Sequence, residues 1–205
     1  LKAQTSGIGN VAIGSGSMAA NATSDFNTAV GTVALSKVNG NGSQGSTAVG
    51  YEAGLGVTSG TFNTFVGYRT GRTTSTGTLN VAMGGDAGYA LTTASGSVFV
   101  GSAAGGTVTT GNMNIAIGYD ALNGATTTGD NNIAIGASAG DALTSGYENI
   151  LLGKNAGGVI NTGYYNIVMG TRTAPALTKG AHNIAMGYRA LDSDDVGNDS
   201  IAIGQ

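Results

Sequence analysis

The stretch Gly111-Asn-Met-Asn-Ile-Ala-Ile-Gly-Tyr-Asp-Ala-Leu122 decides the fold, because its central tetrapeptide Ile115-Ala-Ile-Gly118 recurs along the whole chain. Twelve such tetrapeptides end in glycine, and they begin at Val11, Thr28, Thr47, Thr64, Val81, Val98, Ile115, Ile133, Ile150, Ile167, Ile184 and Ile201. Successive tetrapeptide glycines are 17 positions apart in nine of the eleven intervals, and the other two spacings are 19 and 18. A period this regular indicates a repeat architecture in which each repeat stacks on its neighbours.

Other positions of the repeat are also regular. The residue before the tetrapeptide is Asn in nine copies and Ser in three. A small residue, usually Ala, lies three residues after the tetrapeptide glycine, and an apolar residue lies seven after it in most copies. Glycine also recurs seven residues before the tetrapeptide glycine, usually after Ser or Thr, as in a turn.

The composition excludes several classes of protein. The chain has 205 residues, 38 of them glycine, with 9% charged residues, 40% hydrophobic residues and a net charge of −3. Disorder requires lower hydrophobicity and higher net charge, and collagen requires glycine at every third residue. Without cysteine there is no disulfide framework or thiolate metal site. With only 8 Lys+Arg we expect no nucleic-acid partner, and with no long apolar run we expect no membrane contact by this segment.

Each repeat contains one strong strand candidate of about five residues, and a weaker second strand is predicted around the Ala position. In most repeats twelve residues separate the five-residue strand candidates, and glycines interrupt them, which leaves no room for a helix of ordinary length. We therefore predict an all-β fold, a β-roll or β-solenoid of about twelve 17-residue coils. Stacking at about 4.8 Å gives a rod of roughly 50–60 Å. We expect residues 1–205 to form a single repeat domain, a segment of a longer fibre.

The strand alternation raises a question about what covers its outer side. Ile115 and Ile117 share one face, and Asn114, Ala116 and Gly118 share the other. The following repeat has the same arrangement, with Ile133 and Ile135 on one face and Asn132 and Gly136 on the other. Both faces are apolar or small, whereas a strand buried on one side alternates apolar with polar residues. We expect one of the two faces to pack against other subunits, and we expect the Asn residues to form a hydrogen-bonded ladder.

The unit Thr-Gly-Xaa-Xaa-Asn-Ile-Ala-Ile-Gly-Tyr-Xaa-Ala-Gly resembles the head repeats of trimeric autotransporter adhesins and the related repeats of phage tail fibres. The clearest matches are Gly111–Leu122, Gly129–Gly140, Gly146–Gly157 and Gly180–Leu191, and the resemblance extends from about Gly7 to Gly204. It implies a left-handed parallel β-roll, a homotrimer, and a place outside the cell on a virion tail fibre or a bacterial surface. It also implies attachment to a host surface receptor or glycan. The 17-residue coil is longer than that of the shortest adhesin heads.

Candidate chemical sites are few. The one histidine, His182, precedes Asn183 in a loop and is expected to be an exposed turn residue, so no catalytic grouping can be built around it and we expect no enzyme and no cofactor. The stretch 40–45 formally matches a dinucleotide fingerprint, but it lies in the 19-residue repeat without a strand-to-helix context. Weak candidates for a cation site are Asp192, Asp194, Asp195 and Asp199, whose spacing fits neither an EF-hand nor a calcium-binding nonapeptide repeat.

Tyrosines follow the tetrapeptide glycine at Tyr51, Tyr68, Tyr119 and Tyr188. Two interpretations stay open, packing at the coil corners or a surface that contacts a receptor. The overall expectation is a structural and adhesive fibre segment, with a non-adhesive shaft or spacer as the alternative. Threonine runs such as Thr126–Thr128 raise an ice-binding hypothesis, and a carbohydrate-processing module would need paired carboxylates facing one cleft.

Overall fold

The computed structural model describes residues 6–39, 43–193 and 196–205. Twelve three-residue strands lie in these segments, one for each tetrapeptide. They are β1 (Val11–Ile13), β2 (Thr28–Val30), β3 (Thr47–Val49), β4 (Thr64–Val66), β5 (Val81–Met83), β6 (Val98–Val100), β7 (Ile115–Ile117), β8 (Ile133–Ile135), β9 (Ile150–Leu152), β10 (Ile167–Met169), β11 (Ile184–Met186) and β12 (Ile201–Ile203). They form one sheet in chain order, and every neighbouring pair whose register is described runs parallel. The chain is therefore an all-β parallel solenoid with turns of about 17 residues, as the repeat predicted, and it has about eleven turns where about twelve were predicted.

The register keeps equivalent residues of successive repeats side by side. Ile115 pairs with Ile133 and Ile117 with Ile135, across an 18-residue coil. Thr28 pairs with Thr47 across the 19-residue coil, so the additional residues do not change the register of the sheet. Each repeat position therefore forms a column that runs along the solenoid.

The predicted second strand was wrong, and the first is shorter than expected. Apart from an isolated bridge between Val108 and Thr127, the described residues form no strand outside the twelve. The cause is the backbone after each strand, where Asp120 and Leu122 have φ angles of 53° and 51°. A left-handed residue at every second position turns the chain and is incompatible with an extended strand. The turn backbone still bonds to the next coil, as between the N–H of Leu122 and the carbonyl of Ala139 at 3.0 Å.

The core is built from three columns that pack large residues against small ones. The middle strand residue points inwards, as do the Ala column and the apolar column seven residues after the tetrapeptide glycine; for example, Ala116, Ala121 and Leu143 are fully buried. Where the middle strand residue is Phe65, the position four after the glycine is Gly71, and a Cβ there would lie 2.4 Å from the Phe65 ring. Where the middle residue is Ala116, the same position is Leu122. In these two coils the middle strand residue and the residue four after the glycine therefore share one volume.

The Asn column forms the predicted ladder inside the coil. The amide Nδ2 of Asn149 donates to Oδ1 of Asn132 at 3.0 Å and to the carbonyl oxygen of Gly163 at 2.8 Å. Its own Oδ1 accepts bonds from the backbone N–H and Nδ2 of Asn166 at 3.1 and 3.0 Å. Asn149 is fully buried, so these bonds satisfy amide groups that would otherwise be costly to remove from water.

The two faces of each strand have different environments, one inside the coil and one outside it. Asn114 and Ala116 lie inside the coil, whereas Ile115 and Ile117 point outwards, and Ile117 keeps 37% of its surface exposed. The same holds in β8, where Ala134 is buried and Ile135 is 39% exposed. The small-residue face therefore packs within the chain and is excluded as a subunit contact. We call the first and third residues of the twelve strands the outer strand face.

Candidate functional site

The densest group of aromatic and charged side chains lies on the turns that follow β3, β4 and β5. We call it the Tyr-Arg cluster, and its members are Tyr51, Glu52, Tyr68, Arg69, Arg72, Asp86 and Tyr89. The residues first, second and fifth after the tetrapeptide glycine project from the coil in this region. Residues 17 positions apart are thereby placed next to each other along the solenoid.

Arg69 is held from three sides. Its Nε and Nη2 donate to Oδ1 and Oδ2 of Asp86 at 2.8 and 2.9 Å, a bidentate pair in which each side chain is about one-third exposed. Its guanidinium carbon lies 4.9 Å from the ring centre of Tyr68 and 5.1 Å from that of Tyr89. The hydrogen bond to Asp86 raises the pKa of Arg69, so its charge is permanent. A guanidinium fixed by a carboxylate and two rings is oriented before any ligand arrives.

Arg72 lies three residues after Arg69 in the same coil and is also held by a carboxylate and by Tyr89. Its Nε donates to Oε2 of Glu52, and its Nη1 donates to the hydroxyl oxygen of Tyr89 at 3.3 Å. The hydrogen bond from Arg72 lowers the pKa of Glu52, and the hydrogen bond to Glu52 raises the pKa of Tyr51. The two arginines and the two carboxylates of the cluster therefore balance each other in charge.

A groove of about 300 Å³ opens beside the Tyr-Arg cluster, on the coil that follows β6. Ala103 lies in a column where the preceding coils carry Arg69 and Asp86, so the groove opens above it, and Oδ1 of Asn123 takes up the place of a Cβ at Gly106. Tyr89 forms one wall, and Asn123 of the next coil forms the opposite wall. The Asn123 side chain is oriented by a bond from its Nδ2 to Oδ1 of Asp120 at 2.9 Å.

A second aromatic group lies before β9, β10 and β11, in the turns that precede these strands. Tyr147 and Tyr164 stack with ring centres 5.0 Å apart, and Tyr165 and His182 stack at 5.4 Å. Burial is the main cause that raises the pKa of Tyr147. Tyr147 and Glu148 also line a groove of about 250 Å³. His182 is exposed, as predicted, but it is part of this stack and lies 3.7 Å from Oδ1 of Asp199.

The four tyrosines predicted as contact residues do not form one surface. Tyr51 and Tyr68 stack at 5.5 Å and belong to the Tyr-Arg cluster. Tyr119 and Tyr188 are 63% and 48% exposed, and Ser102 and Thr171 occupy the preceding positions of their column. Packing between neighbouring coils therefore holds for Tyr51 and Tyr68, whereas Tyr119 and Tyr188 are single exposed rings, and contact with a receptor stays a prediction.

Of the four acidic residues predicted as weak cation ligands, the two that the structure describes, Asp192 and Asp199, lie beside different side chains. The Asp192 carboxylate accepts hydrogen bonds from Nε and Nη2 of Arg189 at 3.1 and 2.7 Å, and Asp199 lies beside His182. Asp194 and Asp195 lie outside the described residues, as does part of the stretch 40–45. Within segments 6–39, 43–193 and 196–205, no group of three metal-ligating side chains occurs and no helix is long and apolar enough to cross a bilayer.

The site residues predicted from the sequence did not include Arg69, Arg72, Asp86 and Tyr89, although the repeat period contains a signal for them. Asp86 lies 17 positions after Arg69, and Tyr89 follows Arg72 at the same interval. In a solenoid with this period, such pairs are neighbours.

Comparisons with protein-family models, with curated proteins and with solved structures find no match to this chain.

Proposed function

We propose that this chain is a non-catalytic segment of an extracellular fibre, in which three copies pack through their outer strand faces and present their turns for attachment to a host surface. The fibre would belong to a phage tail or a bacterial surface. The observation that carries the proposal is the outer strand face itself, an apolar strip that the single chain leaves uncovered. A left-handed coil, as in the trimeric adhesin heads that the repeat resembles, is part of the same proposal.

The composition of the outer strand face supports a contact between copies. Its 24 positions are Val, Ile, Leu, Met or Thr, and none of them is charged. Met83, Ile117 and Ile135 are 43%, 37% and 39% exposed. Monomeric proteins rarely expose a continuous apolar patch of such length, which is about 53 Å for twelve strands. Loss of charged residues is typical of the buried core of an interface.

Further apolar side chains lie next to this face along the chain. Phe26, Phe62, Leu79 and Met113 each lie two residues before a strand, and they are 56–64% exposed. Because the face repeats at every coil, a second copy of the chain carries a surface with the same spacing. A partner with another fold would match that spacing only locally. Copies of this chain are therefore the partner best suited to the full length of the face.

The molar mass in solution tests the proposal. Size-exclusion chromatography with light scattering should give about 60 kDa, three times the 19.9 kDa of one chain. Ile117→Lys should reduce the mass to that of one chain, because three lysines would meet without partners at the interface. Thr110→Lys is the matched control, since Thr110 is exposed in the turn before Gly111 and the equivalent position of another coil is Lys179. A wild-type mass of 19.9 kDa at micromolar concentration would refute the trimer.

A further inference from the structure

The groove beside the Tyr-Arg cluster combines one aromatic side chain with several polar side chains. We propose that it binds an uncharged pyranose ring of a host glycan, an inference that rests on the proposed attachment function and names the chemical class of its ligand. Its wall is Tyr89, and Ala103 and Gly106 lie at its floor. The polar residues that line it are Arg69, Asp86, Thr107 and Asn123. A volume of about 300 Å³ is at the lower end of the range for small-molecule sites and suits one or two rings better than a peptide.

The aromatic wall provides the apolar half of the recognition. Tyr89 is half-buried, and the guanidinium groups of Arg69 and Arg72 lie 5.1 and 5.6 Å from its ring centre. The hydrogen bond that its hydroxyl oxygen accepts from Arg72 restrains the ring further. A pyranose has one face of C–H groups, which packs against a flat ring with little loss of entropy when that ring is already fixed.

The polar groups provide the other half. Arg69 has five N–H donors, and two of them are directed at Asp86. Each oxygen of the Asp86 carboxylate can accept a further bond. A Cβ at Gly106 would lie 2.3 Å from Oδ1 of Asn123, so this acceptor stands directly over the glycine of the floor. Sugar hydroxyls donate and accept, and they therefore match a mixture of donors and acceptors along one groove.

The charge of the cluster selects against anionic ligands. Arg69 is paired with Asp86, and Arg72 is paired with Glu52. An acidic sugar would have to compete with these carboxylates for the guanidinium groups. The same balance leaves no excess negative charge to attract a cation. An uncharged sugar needs neither ion pair to open.

A similar groove elsewhere in the chain lacks the aromatic wall. It has a volume of about 200 Å³ and is lined by Asn155, Gly158, Val159, Arg172 and Pro175. Gly158 and Asn155 occupy the repeat positions of Gly106 and Ala103. The chain therefore contains its own control, a groove in the same part of a coil without Tyr89, Asp86 or their arginines.

Saturation-transfer NMR on the full chain tests the proposal, with maltotriose and chitotriose as uncharged probes and 3′-sialyllactose as the anionic probe. We expect saturation of ring protons in at least one uncharged probe and a weaker signal from sialyllactose. Tyr89→Ala should weaken binding by about tenfold or more, the order found for an aromatic anchor at a binding site, whereas Tyr89→Phe should retain it. Unchanged circular dichroism would show that the variants remain folded.

Two insertions of the same side chain provide the matched comparison. Ala103→Arg should fill the groove and abolish binding, and its column already accepts Arg69 and Arg172 with similar φ angles. Asn155→Arg fills the second groove and should leave binding unchanged. The proposal fails if neither uncharged probe binds, if sialyllactose binds more tightly, or if Ala103→Arg and Tyr89→Ala bind as wild type does. A trimer that binds no sugar refutes this site alone, and a monomer that binds sugar refutes the fibre alone.

Discussion

Exchange of a large and a small residue between two core columns tests how the core of this solenoid is packed. Phe65 is fully buried, and its ring lies 2.4 Å from the place of a Cβ at Gly71 and 3.0 Å from that at Gly54. Phe65→Ala should cost about 3–5 kcal/mol through lost burial and a residual cavity. Gly71→Leu alone should cost about 1–3 kcal/mol or more, because the new side chain meets the ring.

When the two substitutions are combined, their effects on stability should largely cancel. The double variant Phe65→Ala/Gly71→Leu recreates the combination of Ala116 and Leu122, which occurs in the coil of β7. The backbone permits it, since Gly71 has a φ of 58° and Leu122 is accommodated at 51°. We expect the double variant to lie within about 1–2 kcal/mol of wild type, a coupling of about 3 kcal/mol between contacting residues.

Guanidinium unfolding followed by circular dichroism gives the free energy of unfolding of wild type, both single variants and the double variant. All are measured at one protein concentration, because assembly shifts apparent stability. Phe65→Ala combined with Gly157→Leu is the control, since Gly157 lies five coils away and contacts Leu151. Its effects should add. If Phe65→Ala/Gly71→Leu is as unstable as the sum of its single variants, the two columns do not share one volume and our account of the core is wrong.

Further substitutions test the ladder, the turns and a partly buried carboxylate. Asn149→Ala should lower the free energy of unfolding by about 2–4 kcal/mol, because it leaves buried partners unsatisfied on both neighbouring coils. Asn149→Ser should lower it less, since the column already contains Ser46, whose Oγ accepts the N–H of Asn63 at 3.2 Å. Equal losses of the two variants in urea unfolding would contradict this. Val33→Gly should stabilise the fold by about 1 kcal/mol, because the β-branched Val33 has a φ of 52°. Thr32→Gly is the control and should destabilise the fold, because Thr32 lies outside the left-handed region. The melting temperatures of the two variants distinguish these effects. Burial raises the pKa of Asp141 above its ordinary 3.8, with a smaller contribution from Asp120, so the charged form opposes folding at neutral pH and the penalty vanishes as pH falls below the unfolded value. Asp141→Asn should therefore raise the melting temperature at neutral pH and change nothing at about pH 3, and the reverse pattern would show that the carboxylate is stabilising.

The columns of the solenoid could be predicted from the sequence because a 17-residue period places equivalent residues side by side. The inward face of the strand could not, because Ile115 and Ala116 are both compatible with a core. Hydrogen bonding decides between them, since the Asn114 amide needs the carbonyl oxygen of Gly129 at 2.8 Å inside the coil. The left-handed turns were hidden because Asp120 and Leu122 occupy them instead of glycine.

The Tyr-Arg cluster could be found from the repeat period, but the groove beside it could not. A groove arises from what Ala103 and Gly106 lack, and small residues are frequent throughout this chain. Only the side chains of the preceding and following coils, Tyr89 and Asn123, turn that gap into a space with walls. With Arg69, the relevant pattern extends over four coils, and no single repeat contains it.

The two longer coils, between β2 and β3 and between β7 and β8, carry a consequence for how such a molecule changes length. Because the register of both strand pairs is the same as elsewhere, a coil can gain residues at its turn without disturbing the strands on either side. Duplication or loss of a whole repeat should be equally well tolerated, and each event changes the length by about 4.8 Å. The number of coils therefore sets the length of the solenoid in discrete steps. The sequence and length of the turns can change the surface without changing the length of the solenoid.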